Sequence, residues 1–144
     1  MKKISRLIIV SVLISGFFTN VYSQSANNTQ KEVASSELAK PINLSAIEFK
    51  AMIEKGDAIL LDVRTINEFR QGHLAGAITI DWYQRTFETK VAELDKEKTM
   101  LIYCRSGNRT GKTKYFLIGM GFTKVYNLEY GINDWDRNKF PFVR

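Results

Sequence analysis

The segment Thr99-Met100-Leu101-Ile102-Tyr103-Cys104-Arg105-Ser106-Gly107-Asn108-Arg109-Thr110-Gly111-Lys112-Thr113 passes from an apolar run to a polar loop and then to a helical pattern. A continuous apolar run bounded by turn residues fits a strand buried on both faces of a parallel sheet. Similar runs occur at Ala58-Ile59-Leu60-Leu61, closed by Asp62, at Ala77-Ile78-Thr79-Ile80, and more weakly at Lys124-Val125-Tyr126-Asn127-Leu128. Helical stretches fill the gaps, at about 66–71, about 84–94, 110–119 and 132–137. Ser45-Ala46-Ile47-Glu48 is a capping box, opening a helix whose apolar stripe is Ile47, Phe49, Met52 and Ile53 and whose stop is Gly56. Strands alternating with helices specify an α/β domain with a mainly parallel central sheet. Ligands of such sheets lie beyond the carboxyl ends of the strands, and Cys104 stands at one of those ends.

The chain has 144 residues, enough for one domain with a core. Its start differs from the rest. Lys2, Lys3 and Arg6 precede an apolar run from Leu7 to Phe18, followed by the small residues Val21 and Ser23. That order describes a secretory signal peptide over residues 1–23, and hence export, into the periplasm of a bacterium. The apolar run is shorter than the ~20 residues that span a bilayer, so no stable membrane span is expected after cleavage, the alternative being an uncleaved anchor. Residues 24–40 are polar and without period, a flexible tether, and the folded domain is expected over residues 41–144. Of the 21 basic and 15 acidic side chains, three basic ones lie in the signal, leaving a net charge of +3. So small a surplus excludes nucleic-acid binding on charge alone, which requires a clustered basic face.

The chain contains one cysteine. An exported protein with a single thiol cannot bridge it within its own chain, so Cys104 is inert and buried, an intermolecular link, or reactive. Its neighbours favour reactivity. A tight loop can turn successive backbone N–H groups inward as an anion-binding nest, and the following helix adds the positive end of its dipole. Arg105 and Arg109 add two charges, so the thiol is expected to ionise below its ordinary range. Two other loops compete. A nucleotide-binding loop requires four residues between its glycines, whereas three separate Gly107 from Gly111 and Ser106 occupies the first glycine's place. A cysteine phosphatase sets five residues between Cys and Arg. Here four separate Cys104 from Arg109, a narrower cradle better matched to one sulfur atom than to a phosphoryl group.

Three ordered segments resemble the rhodanese family. They are Asp62-Val63-Arg64 with Glu68-Phe69 and Gly72-His73-Leu74-Ala75-Gly76-Ala77, then Cys104 to Thr110, then Gly121-Phe122, Val125 to Glu129 and Gly131-Ile132 with Trp135. The resemblance runs from about Pro41 to Phe142. It implies a three-layer fold, with helices on both faces of the sheet, and a sulfurtransferase working in two steps. Cys104 takes the outer sulfur of thiosulfate or a similar donor as a persulfide, then passes it to cyanide or a thiol. Arg105, Ser106, Gly107, Asn108, Arg109 and Thr110 would form the substrate-binding loop, with the two arginines on the donor's sulfonate. Thr110 stands where serine is frequent and keeps a cap for the helix. Asp62 and Arg64 are read as structural support at a strand end, and His73 as a turn-holding residue outside the catalytic set. Trp82, Tyr83 and Trp135 are read as packing and rim. No metal or cofactor is implied. The expected partners are a small anionic sulfur donor, a thiol or cyanide acceptor and a sulfur-relay protein, and a monomer is expected. The rival reading is a non-enzymatic persulfide carrier loaded by a partner protein. Tyr130 replaces the first of two glycines in the closing segment, and Lys139-Phe140-Pro141 lacks the usual glycine before its proline. Both departures are expected to reshape the rim of the site.

Overall fold

The computed structural model describes residues 39–144. The signal-peptide reading of residues 1–23, and the tether except for its last two residues, lie outside the described residues. In chain order the elements are β1 (Ile42–Leu44), α1 (Ala46–Glu54), β2 (Ala58–Asp62), α2 (Ile66–Gln71), β3 (Ile78–Thr79), α3 (Phe87–Ala92), β4 (Thr99–Tyr103), α4 (Asn108–Gly119), β5 (Val125–Leu128) and α5 (Ile132–Arg137). The five strands form one parallel sheet in the order β1-β5-β4-β2-β3. The central strand β4 is paired on both sides, with Asp62 beside Tyr103 and Asn127 beside Ile102.

Strand periodicity distributes the core between two faces. Met100, Ile102 and Cys104 join Leu61, Val63 and Val125 on one face, packed with Phe87 and Val91 of α3 and Leu117 of α4. Leu101 and Tyr103 join Leu60 and Leu128 on the other, packed with Ala46 and Phe49 of α1 and Trp135 of α5. The result is a three-layer α/β fold. Each fully buried Leu or Phe contributes about 1.5–3 kcal/mol, and β4 supplies residues to both clusters, so the strand that leads into Cys104 is anchored on both faces.

Capping boxes start two helices. The Ser45 hydroxyl accepts from the Glu48 N–H while the Glu48 carboxylate accepts from the Ser45 N–H, and Thr65 with Glu68 repeats the arrangement at α2. The described residues contain no helix long and apolar enough to cross a membrane.

The structure departs from the sequence reading at three points. Ile47 is 64% exposed, because Ala46 and Phe49, three residues apart on one helical face, are the residues that meet the sheet. The strand at Ile42–Leu44 carried no signal. It is a three-residue edge strand, mostly exposed, held by pairing with β5 rather than by its own pattern. Helix α4 begins at Asn108, not Thr110, and its N-cap is Gly107 without any side-chain cap.

Candidate active site

Cys104 leaves the end of β4 with only 1% of its surface exposed. The chain then turns through Arg105, Ser106 and Gly107 into α4. The Gly107 N–H points back at the thiol, with N–Sγ 3.2 Å. Gly107 has φ +90°, and a β-carbon there would lie 1.9 Å from the Glu129 carbonyl oxygen, so only glycine fits.

Thr110 is fully buried one turn into α4, and its role differs from the capping expected of it. Its hydroxyl lies 3.0 Å from the Gly107 carbonyl and 3.6 Å from Cys104 Sγ, so its single proton can be given to the carbonyl beside a thiol and turned to the sulfur once that sulfur is a thiolate. Burial pushes the Cys104 thiol up. The backbone and hydroxyl of Thr110 and the backbone N–H groups of Ser106 and Gly107 oppose this, and they win: the thiol ionises below its ordinary value. Thr110→Val removes one of these donors and leaves the backbone ones. The midpoint of iodoacetamide alkylation against pH is expected to move upward, with slower alkylation at pH 7. An unchanged midpoint would show that the backbone alone sets the thiolate.

Beneath the loop, Arg64 and Asp62 form a buried pair. The guanidinium donates to both Asp62 oxygens at 2.7–3.0 Å and to the Gly72 carbonyl at 2.7 Å. The Arg64 N–H also bonds Asp62 at 2.8 Å. This ties the end of β2 to the turn after α2. On that turn, Nδ1 of His73 lies 3.0 Å from the Phe69 carbonyl, and its ring stacks on Phe69 at 3.7 Å. Its backbone pairs with Val143 near the C-terminus.

The two arginines of the loop fare differently. Arg109 makes a two-pronged pair with Glu68 at 2.6 and 2.7 Å and lies over the Tyr83 ring at 5.8 Å. The hydrogen bonds from Arg109 come first among the causes that hold the Glu68 carboxyl down at about 2, against the upward push of its partial burial. Arg105 projects outward and has no ion-pair partner among the described residues. Ser106 and Asn108 are exposed on either side of Gly107. Asn108 and Arg109 border a depression of about 340 Å³ with Trp82, Tyr83 and Lys112.

Two features carried no sequence-level assignment. Glu68, read only within a motif, serves α2 as capping residue and α4 as ion-pair partner, across 41 residues of chain. A clasp also holds the loop from behind: the Ile132 N–H donates to the Cys104 carbonyl at 2.8 Å and the Asn133 N–H to the Arg105 carbonyl at 3.1 Å. The approach requires Gly131 (φ +64°), where a β-carbon would fall 2.4 Å from the Cys104 oxygen. The second glycine of the closing segment was the available signal. Its absent companion, Tyr130, lies on the rim beside Ser106. Lys139 has φ +59° in the segment where the family's glycine is missing.

A sequence profile of the rhodanese-like domain matches residues 45–138. The chain belongs to the rhodanese-like family. The chain is 42% identical over 93 residues to a tRNA uridine(34) hydroxylase of Cytophaga hutchinsonii, covering 62% of this chain and 30% of that protein. It is 33% identical over 87 residues to a sulfurtransferase of Allochromatium vinosum, covering 60% of this chain and 79% of that one. The chain thus spans less than a third of the length of the hydroxylase. Among solved structures, a rhodanese-related protein of Thermoplasma volcanium superposes with a TM-score of 0.62 at 29% identity, over 72% of this chain and 97% of that one. A rhodanese-like domain protein of Staphylococcus aureus gives 0.57 at 27% identity, over 67% and 90%. In this rhodanese-like domain, Cys104 sits at the carboxyl end of the central strand, inside a loop of inward-facing donors.

Proposed function

We propose that this rhodanese-like protein is an exported sulfurtransferase in which Cys104 carries the transferred sulfur. The observation that carries the reading is the thiol held against the Gly107 N–H and Thr110 at the floor of the loop, with its ionisation favoured. The thiolate attacks the outer sulfur of thiosulfate, a new S–S bond forms at Sγ, and sulfite leaves with the electrons of the broken bond. Loop donors that held the thiolate then hold the terminal sulfur of the persulfide, which passes to cyanide or a thiol. Arg105, exposed beside the thiol, is the group best placed to draw the donor's sulfonate, since Arg109 is matched by Glu68. The basic start, apolar run and small residues of the first 23 positions support export. The tRNA uridine(34) hydroxylase of Cytophaga hutchinsonii shares only 30% of its length with this chain, so the likeness supports the rhodanese-like part alone.

The test uses intact mass. The reduced protein is mixed with thiosulfate, then with cyanide, with Cys104→Ser in parallel. A gain of about 32 Da that needs Cys104 and disappears with cyanide is expected for a persulfide enzyme. A folded protein with an alkylatable thiol and no gain would rule out thiosulfate and favour a carrier loaded by a partner protein.

A further inference from the structure

A depression of about 420 Å³ opens beside the Cys104 loop, within the size range of small-molecule sites. Arg64, Glu68, Gln71, Arg105, Asn133 and Asp136 supply its polar lining. Two of these charges are already matched, Arg64 by Asp62 and Glu68 by Arg109. Arg105 and Asp136 remain. Both are exposed, and neither has an ion-pair partner among the described residues.

Their juxtaposition is built in. The Asn133 N–H holds the Arg105 carbonyl at 3.1 Å, which seats the root of the Arg105 side chain against α5. Asn133 and Asp136 are three residues apart on α5 and therefore share its side toward the depression. The hollow, which Arg105 of the nucleophile's loop helps to line, thus offers one unmatched positive and one unmatched negative group. A thiol carrying one charge satisfies one of them and leaves the other unmatched, while a zwitterion satisfies both.

We infer that this depression selects an α-amino-acid thiol as the sulfur acceptor, Arg105 taking its carboxylate and Asp136 its ammonium. The inference rests on the persulfide reading of Cys104. The acceptor's thiolate attacks the outer sulfur of the persulfide and forms a new S–S bond. The bond from that sulfur to Cys104 Sγ breaks, Cys104 leaves as a thiolate, and the acceptor's thiol proton goes to solvent. The product is an amino-acid persulfide.

The experiment separates the two readings. Cys104 is loaded with thiosulfate, or with inorganic polysulfide if thiosulfate does not react, and loading is verified by mass. Discharge is then timed with cyanide, L-cysteine, cysteamine (no carboxylate) and 3-mercaptopropionate (no ammonium). Each thiol's rate is normalised to its rate with a small disulfide, because thiol pKa alone changes reactivity. Cysteine is expected to lead both half-charged analogues by about fivefold, the scale of one exposed charge contact. Asp136→Asn is expected to remove most of its lead over 3-mercaptopropionate, with cyanide discharge of the same variant as the reference. Equal normalised rates, or a lead that survives Asp136→Asn, would overturn the acceptor assignment while leaving a loadable, cyanide-dischargeable persulfide intact. Failure to load Cys104 with either donor would overturn both readings.

Discussion

Gly107→Ala is expected to abolish persulfide formation and to weaken the fold together. The new methyl group would sit 1.9 Å from the Glu129 carbonyl oxygen, which belongs to the backbone following β5 and has no rotamer by which to escape. The φ of +90° also places an alanine in a region where strain costs about 1–3 kcal/mol. The loop must therefore lift away from the β5–α5 connection, and the Gly107 N–H leaves its position 3.2 Å from Cys104 Sγ. Loss of one preorganised donor to a developing anion typically costs a factor of about 10²–10³. Single-turnover loading with thiosulfate should fall by at least that much, and urea denaturation should show a loss of more than about 3 kcal/mol from clash and strain combined. Near-normal loading in the variant would mean that the donors of Thr110 and Ser106 suffice.

Asp62→Ala carries the second large effect. It leaves the Arg64 guanidinium, 5% exposed, with the Gly72 carbonyl as its remaining partner. Removing one member of a buried pair costs about 3–5 kcal/mol, mostly for the uncompensated charge. For a domain of this size, a thermal midpoint lower by more than ~10 °C is expected. The double variant Asp62→Ala/Arg64→Met should recover part of the loss, since it strands no charge. A double variant as unstable as the single one would place the effect in side-chain packing instead. The Tyr103 phenol offers a second readout. Burial, then the negative charge of Asp62, push it above its usual range, so Asp62→Ala should lower it.

Much of this molecule is legible in local sequence. The apolar run at Met100–Tyr103 marks the central strand, the capping boxes at Ser45 and Thr65 mark two helix starts, and Cys104 with its loop marks the chemistry. These signals act over a few residues, where backbone periodicity and short-range hydrogen bonds dictate the outcome. Edge strand β1 escaped notice because three exposed residues have no pattern of their own and exist as a strand through β5. In the sequence the hydroxyl of Thr110 reads as a cap for a related reason: its position against Cys104 Sγ depends on α4 starting at Asn108.

By itself, then, the sequence determined an α/β domain with a single nucleophile at a strand end. Only the tertiary structure decided which charges that nucleophile feels. Sheet order and helix docking bring Glu68 onto Arg109 across 41 residues and set the α5 backbone behind the loop. One arginine is thereby matched and the other left exposed on the depression that Asp136 also lines. Electrostatic pairing depends on distance in space, and spacing along the chain does not contain it.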